Sequence, residues 1–156
     1  MNLIVKIIKG YVDRRSLKLI FCHPFLFLIF GIVTFYVFYI SHKKFGIASC
    51  RNGKENAFRH ALWGCLLVKY GHYITNLKKS KSFCVRVTSL HEELFPNNYI
   101  EKQMDLHNNS VGIWYYAMHP KLSKKEYIKK LIEKMNSAKK AHTPEDIKTN
   151  ELIYID

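Results

Sequence analysis

The sequence contains few acidic residues and few residues that interrupt or cross-link a chain. It has 12 Asp and Glu against 25 Lys and Arg, with seven Gly and four Pro among 156 residues. No glycine-rich phosphate loop, dinucleotide-binding fingerprint, internal repeat or low-complexity linker is present, so no motif supports familiar nucleotide chemistry. The length allows one compact domain with an accessory segment, which excludes barrel enzymes and two-domain dinucleotide folds of ordinary size.

Cysteine is also scarce and irregularly spaced. The four cysteines are Cys22, Cys50, Cys65 and Cys84. They form no CxxC pair, so neither a zinc ribbon nor a disulfide-stabilised scaffold is indicated. Residues 47–50, IASC, are similar to a lipidation signal, but Lys43 and Lys44 separate them from the nearest apolar run. The sequence therefore leaves lipidation of Cys50 open.

Positive charge and apolar residues are abundant. The formal net charge is +13 and the pI is about 9.6, which suits contact with anionic lipid or nucleic acid without choosing between them. Hydrophobic residues make up 48% of the chain and aromatic residues 14%, a composition that excludes a disordered tail.

An apolar run of 22 residues, 19–40, contains no Asp, Glu, Lys or Arg. This length crosses roughly 30 Å of hydrocarbon, so the run predicts a single transmembrane helix. A buried core helix and a cleavable signal peptide are the alternatives, although the 18 residues before the run are long for a signal. The expected location is the bacterial inner membrane, with one pass. Basic residues flank the run on both sides and leave its orientation open.

The segments on either side of this run have different characters. Residues 1–18 form a basic flank, interpreted either as a short interfacial helix or as a segment that only orients its neighbour. Residues 41–156 predict a helical domain, because apolar residues recur at intervals of three and four. Its expected helices span about 52–71, 80–95 and 104–118, with a fourth capped by Ser123 and Glu126 and a short last one at Pro144. The predicted fold class is all-α: one N-terminal transmembrane helix followed by a small helical domain.

The fourth predicted helix carries lysine opposite its apolar stripe. Residues 121–140 contain eight Lys and two Glu. This lysine-rich face is interpreted either as a binding surface for a polyanion or anionic membrane, or as an ordinary solvated face.

Three polar blocks interrupt the apolar helices and give the strongest functional signal. They are NAFRHALW at 56–63, HEE at 91–93 and DLHNN at 105–109. His60, His91 and His107 are expected to point towards the core, where buried charge is costly unless it is paired. A shared divalent metal, most simply Zn²⁺ with Asp105 as a further ligand, accounts for all four side chains.

The other polar residues of the blocks have expected roles around this metal. Glu92 is expected to act as a general base or to support a ligand, and Arg59 to hold a phosphate. Asn56, Asn108 and Asn109 are expected to orient ligands or to bind substrate. A metal-free acid–base site and purely structural polar packing are the alternatives.

The same blocks carry a resemblance to known proteins. NAFRHALW, HE and MDLHNNSVG resemble an uncharacterised bacterial helical domain family with NAxRHAxW, HE and MDLHNNxVG blocks, often found at the ends of secreted, toxin-like proteins. The resemblance covers about residues 52–118 and implies a helical domain whose polar blocks form one site. The attached apolar run departs from that pattern and argues against a secreted toxin. A weaker, fold-level likeness is to zinc-dependent phospholipases C and single-strand nucleases.

These features together predict a membrane-anchored, metal-dependent hydrolase of a phosphodiester, with lipid favoured slightly over nucleic acid. The alternative function is a non-catalytic, membrane-anchored interaction or immunity-type protein in which the polar blocks form a buried network. A nucleic-acid binder is a third class, and the sequence lacks a recognisable reading helix or aromatic base platform for it.

Overall fold

The computed structural model describes residues 14–95, 98–147 and 150–156. Within these residues the chain forms α1 (Arg14–Cys22), α2 (Pro24–Phe45), α3 (Lys54–Ile74), α4 (Leu77–Leu94), α5 (Tyr99–Met118) and α6 (Lys124–Asn136). Two 3₁₀ helices are also present, Gly46–Cys50 between α2 and α3 and Pro144–Ile147 after α6. The prediction of a helical fold is therefore confirmed. Most of the predicted basic flank lies outside the described residues.

Two short parallel strands complete the described structure. They are β1 (Lys139–Lys140) and β2 (Ile153–Tyr154). Lys139 N donates to Leu152 O over 2.9 Å, and Ala141 N donates to Tyr154 O over 2.8 Å. Strands of two residues leave no alternating pattern in a sequence, so the all-α prediction did not include them. Their effect is to hold the C-terminal segment against the helices.

The central helix is α3, and 14 of its 21 residues are buried. It packs against α2, α4, α5 and α6, so it has almost no polar face. A helix that is apolar on all sides is stable only when other elements surround it. The first polar block consequently lies in the middle of the protein.

The predicted apolar helix is divided differently from the 19–40 range. α1 ends at Cys22, and α2 begins at Pro24, where proline occupies the first helical position and supplies no backbone donor to the preceding turn. α2 then continues through Lys43 and Lys44. It is long and apolar enough to cross a membrane, by length and composition. One face of α2 is nevertheless buried against the other helices.

The helix ends agree only partly with the predicted caps. The capping box of Ser123 and Glu126 is confirmed at the start of α6. The first helix of the domain was expected to begin at about 52, but α3 begins after Gly53 and the Asn52 side chain donates to Glu101 Oε1 over 2.7 Å. An unpredicted capping box at Asn98 starts α5 five residues before the predicted 104.

Helices α3 and α5 approach closely at two glycines. A Cβ on Gly64 would lie 2.3 Å from Asn109 O, and a Cβ on Gly112 would lie 1.9 Å from Ala61 O. Neither distance is compatible with a side chain, so the backbones can meet only because both positions are glycine. This contact sets the separation between the first and third polar blocks.

We expect Gly112→Ala to reduce the free energy of unfolding by about 3 kcal/mol or more, because the added methyl group collides with backbone that cannot move independently. Urea unfolding of the full chain in mild detergent measures this. The matched control is Gly31→Ala, where nothing lies within 4 Å of the new Cβ. The control should stay within about 1 kcal/mol of wild type. Equal effects of the two substitutions would contradict the close contact.

Candidate metal centre

Three ligand-type side chains from three helices meet inside the protein. His60 comes from α3, Glu92 from α4 and Asp105 from α5, and one potential ligand atom of each lies within 4.8 Å of the others. Their exposed fractions are 4%, 2% and 3%. One imidazole and two carboxylates in a cluster this tight and this buried form a candidate site for a divalent metal. We call these three residues the ligand cluster.

The imidazole of His60 organises the contacts within the ligand cluster. Its Nε2 lies 3.2 Å from Asp105 Oδ1 and accepts a hydrogen bond from Arg59 Nη2 over 3.0 Å. The side chain of Asn109 lies beside the same ring. The lone pair of Nε2 therefore points to the guanidinium of Arg59, and the Asp105 carboxylate lies beside the same nitrogen.

Several polar atoms around the ligand cluster have no hydrogen-bond partner among the described residues. They are Asn56 Oδ1, His60 Nδ1, Glu92 Oε1, Asn109 Oδ1 and Asn109 Nδ2. Buried polar groups are nearly always satisfied, because each orphan costs roughly 1–3 kcal/mol. A concentration of orphans at one place indicates a site that takes a polar ligand or an ion.

Burial and mutual charge shift the pKa values of the cluster. Burial and the neighbouring Asp105 carboxylate together raise the pKa of Glu92 to about 8, against the opposing effects of Arg59 and Lys102. Burial, with Arg59 and His91 nearby, lowers the pKa of His60 well below its ordinary value. At neutral pH the imidazole is therefore neutral, with the lone pair of Nε2 accepting from Arg59, and Glu92 largely holds a proton.

A cavity of about 190 Å³ adjoins His60 and gives it a route to the outside. Its lining residues are Thr34, Val37, Phe38, Arg59, His60, Trp63 and His91. Trp63 fixes one wall, because its Nε1 donates to Thr34 Oγ1 over 2.9 Å and its ring meets the ring of His91 at 5.2 Å. A small polar group can thus reach the ligand cluster past Arg59. We call this space the site cavity.

The structure brings together some of the predicted ligands and separates others. His60 and Asp105 meet as expected, but the third member of the ligand cluster is Glu92, which was expected to act from outside the metal. His91 lies in the wall of the site cavity, where burial lowers its pKa to about 4. Adjacent residues of a helix differ by about 100° in direction, so His91 and Glu92 cannot both point at one ion.

The expectation that His107 joins the other two histidines is wrong. Its Nε2 donates to Glu151 O over 2.8 Å, and its side chain borders a separate surface cleft with Tyr99 and Pro144. Asp105 and His107 are two positions apart, which turns them about 200° from one another on a helix. The prediction of three converging imidazoles ignored this angle.

The three asparagines predicted to belong to the site lie in two different places. Asn56 and Asn109 are buried, with orphan atoms in the region of the ligand cluster. Asn108 is turned to the C-terminal segment instead: its Nδ2 donates to Ile153 O over 2.9 Å, and its Oδ1 accepts from Ile153 N over 3.0 Å. It pairs with β2 as another strand would, so a role for Asn108 in binding substrate is not supported by its position.

The apolar helix was not predicted to contribute to the site. Thr34, Val37 and Phe38 on α2 line the site cavity. A weak signal was available, because Thr34 is the one Ser or Thr between 19 and 40 and a lone hydroxyl in an apolar helix needs a partner. The partner is Trp63, on the first polar block.

Comparison with known protein families identifies the family of this chain. Residues 17–139 match the family described as a domain of unknown function, DUF6973. The chain belongs to this family. The matched range contains α2 as well as the ligand cluster, so the DUF6973 domain includes the apolar helix. Neither a curated protein nor a solved structure matches the chain.

We expect Glu92→Gln to stabilise the metal-free DUF6973 protein increasingly as pH rises. Between pH 4.5 and about 8 the folded state holds a proton on Glu92 that the unfolded state has lost, so wild-type stability falls with rising pH in that window. The rise in the pKa of Glu92 corresponds to a loss of roughly 5 kcal/mol in the free energy of unfolding once Glu92 is fully ionised. Gln does not titrate, so the variant lacks this pH dependence. Thermal unfolding from pH 5 to 9 with a chelator measures the difference.

The control for this experiment is Glu93→Gln, at the adjacent position. Glu93 is exposed and pairs with Arg15 at the surface, where an ion pair is worth about 1 kcal/mol at most. A pH dependence of Glu92→Gln that matched the dependence of wild type would contradict the buried, protonated carboxyl.

Proposed function

We propose that this protein is a membrane-attached, metal-dependent hydrolase that cleaves a phosphodiester. The observation that carries the proposal is the ligand cluster, three buried metal-binding groups of which one, His60, lines the site cavity. Three protein ligands that leave a coordination position open are typical of catalytic rather than structural zinc sites.

The charges of the ligand cluster favour a divalent cation. When both carboxyls are ionised, Glu92 and Asp105 contribute two negative charges in a place where burial and mutual repulsion resist ionisation. A divalent ion balances both charges, and the neutral imidazole of His60 supplies a nitrogen ligand. The donor set suits Zn²⁺, the metal expected from the sequence, and also Mn²⁺.

Arg59 has two different partners in this proposal. Without metal, its Nη2 donates to His60 Nε2, the atom that a metal needs. A bound cation would repel the guanidinium, and Arg59 already lines the site cavity into which it can turn. Guanidinium binds phosphate oxygens through two parallel hydrogen bonds, so Arg59 in the site cavity would hold and orient a phosphodiester.

The chemistry of hydrolysis then needs few further groups. A divalent ion in such a site lowers the pKa of a bound water to about 7 and so provides a nucleophile at neutral pH. His91 is neutral and lies in the wall of the site cavity, where it can hydrogen-bond the substrate without adding charge. Trp63 keeps that wall rigid.

Membrane attachment is proposed from α2 and from the charge of the chain. Large apolar side chains of α2 are exposed, and the net charge is +13. Attachment concentrates the site at a surface rich in phosphodiesters, which favours lipid over nucleic acid as the substrate.

We expect the full chain, purified in mild detergent and loaded with zinc or manganese, to retain one metal ion per molecule after dialysis. Elemental analysis measures this. His60→Ala and Asp105→Asn should retain less than a tenth of an equivalent, because each removes one of three ligands. His107→Gln is the matched control and should retain metal like wild type, since its partner is Glu151 O.

Circular dichroism of each variant separates loss of metal from loss of fold. A folded wild-type protein that retains no metal would sink the hydrolase proposal and favour the non-catalytic interaction protein instead. Loss of metal from His107→Gln would contradict the assignment of ligands.

We expect Arg59→Gln to change metal binding and catalysis in opposite directions. The variant loses a cation beside the ligand cluster, so its metal affinity should rise severalfold. Its kcat/KM for bis(p-nitrophenyl) phosphate should fall at least tenfold, since the phosphate loses its guanidinium partner. Metal titration and steady-state kinetics measure the two effects. Parallel losses of both would contradict the proposed exchange of partners.

A further inference from the structure

Helix α2 has two opposite apolar faces with different surroundings. One face is buried along the whole helix, through Leu26, Phe30, Val33, Val37 and Ser41. The opposite face is exposed, and we call it the exposed stripe: Phe25 (74%), Leu28 (62%), Ile32 (62%), Phe35 (77%) and Tyr39 (52%). These positions recur at intervals of three and four, so they form one continuous band. A band of this kind on a helix needs an apolar partner.

The buried face of α2 runs antiparallel to α3 and contacts it at three levels. Leu26 lies beside Gly71 at one end, the Phe30 ring is 5.8 Å from the Trp63 ring near the middle, and Phe45 meets Phe58 at 5.4 Å at the other end. The buried face extends over about 22 Å of helix, most of the roughly 30 Å of a hydrocarbon core. Any membrane depth reached by α2 is therefore also reached by α3.

This packing is incompatible with α2 crossing a bilayer upright. α3 is enclosed by α4, α5 and α6, which would have to enter the hydrocarbon with it. Those helices carry exposed cations, including Lys78, Lys79, Arg86, Lys129 and Lys130. Charged side chains that face lipid are costly, and a helix with one apolar exposed side can instead lie in the plane of the interface.

Basic side chains lie near both ends of α2 and beside its exposed stripe. Lys43 Nζ lies 5.9 Å from the ring centre of Tyr39, and Lys124 Nζ lies 4.3 Å from the ring centre of Tyr36 at the side of the stripe. Arg14 and Lys18 are exposed on α1, at the other end. Anionic headgroups complement this frame of cations. A second copy of the chain would bring two identical cationic frames together, so it fits less well.

We propose that α2 lies in the plane of an anionic membrane surface with its exposed stripe among the lipid chains, and that the site cavity opens at the level of the lipid headgroups. Phe38, 52% exposed, lies between the exposed stripe and the site cavity and lines the latter. The substrate class is then a membrane phospholipid whose headgroup phosphate enters past Phe38 towards Arg59. This second statement rests on the proposed function, and the orientation of α2 does not.

A depth profile along the exposed stripe tests the orientation. Cys22 and Cys50, the exposed cysteines, are replaced by Ser, and a bimane label is placed in turn at Phe25→Cys, Ile32→Cys and Tyr39→Cys in the full chain. The labelled proteins are reconstituted with vesicles of phosphatidylcholine and phosphatidylglycerol that contain nitroxide at a shallow or a deep acyl position. Ser110→Cys, exposed on α5, is the matched control and should not be quenched.

We expect all three stripe labels to be quenched mainly by the shallow nitroxide, to within a factor of two of one another. A crossing helix would give a different result: the deep nitroxide would quench Ile32→Cys most, and this would overturn the proposal. Labels that no nitroxide quenches would also overturn it, by indicating a protein partner or a second copy. His60→Ala should leave the profile unchanged, so a failed metal site does not affect this measurement.

A surface variant tests the lipid substrate. Ile32→Asp should weaken binding to vesicles with phosphatidylglycerol and slow release of headgroup phosphate from them at least tenfold, while kcat/KM for bis(p-nitrophenyl) phosphate in solution stays within twofold. Trp114→Asp, an exposed apolar residue of α5, is the control and should match wild type in both assays. Unchanged lipid cleavage by Ile32→Asp would overturn entry from the membrane. Wild-type protein without either activity would overturn the lipid substrate and the proposed function, while the depth profile would still decide the orientation.

Discussion

The contact between α3 and α5 is the constraint on which the candidate metal centre depends. Gly64 and Gly112 allow the two backbones to meet, and no side chain fits between them at either point. This separation lets Asp105 on α5 come within 3.2 Å of His60 on α3. A wider spacing would leave a carboxylate and an imidazole buried without one another, which is costly. The packing of these two helices therefore also determines the geometry of the site.

α2 links the buried site to the surface of the molecule. Its inner face completes the packing around α3, one side lines the site cavity, and the outer face is exposed apolar surface. A helix that served only as a membrane anchor could be removed without effect on the fold. Loss of α2 would instead expose Phe58 and Trp63, which lie in the core. The extent of the DUF6973 match, which includes α2, agrees with an integral role for this helix.

The sequence predicted the helices well and the site in part, for physical reasons. Heptad-like apolar spacing and the Ser123 capping box are local signals, and they located α3 to α6 to within a few residues. The third polar block was harder to interpret. The five residues DLHNN are adjacent in the sequence, but their side chains lie in two different places in the structure. Asp105 and Asn109 are four apart and share the face towards His60, while His107 and Asn108 bind the C-terminal segment. The C-terminal segment has little regular secondary structure, so the sequence did not indicate that its backbone groups would form hydrogen bonds with side chains of α5.

The charges in and around the ligand cluster are balanced without an ion, and this balance determines what a bound ion would displace. In the metal-free protein, a proton on Glu92 removes one negative charge, and the guanidinium of Arg59 offsets the charge of Asp105 next to His60. Under the proposed function, a divalent cation would replace both of these positive charges: the proton would pass to solvent, and Arg59 would turn to the site cavity. Arg59 would then bind phosphate only when the metal that supplies the nucleophile is also held by the ligand cluster, which would couple the two halves of the reaction through electrostatics.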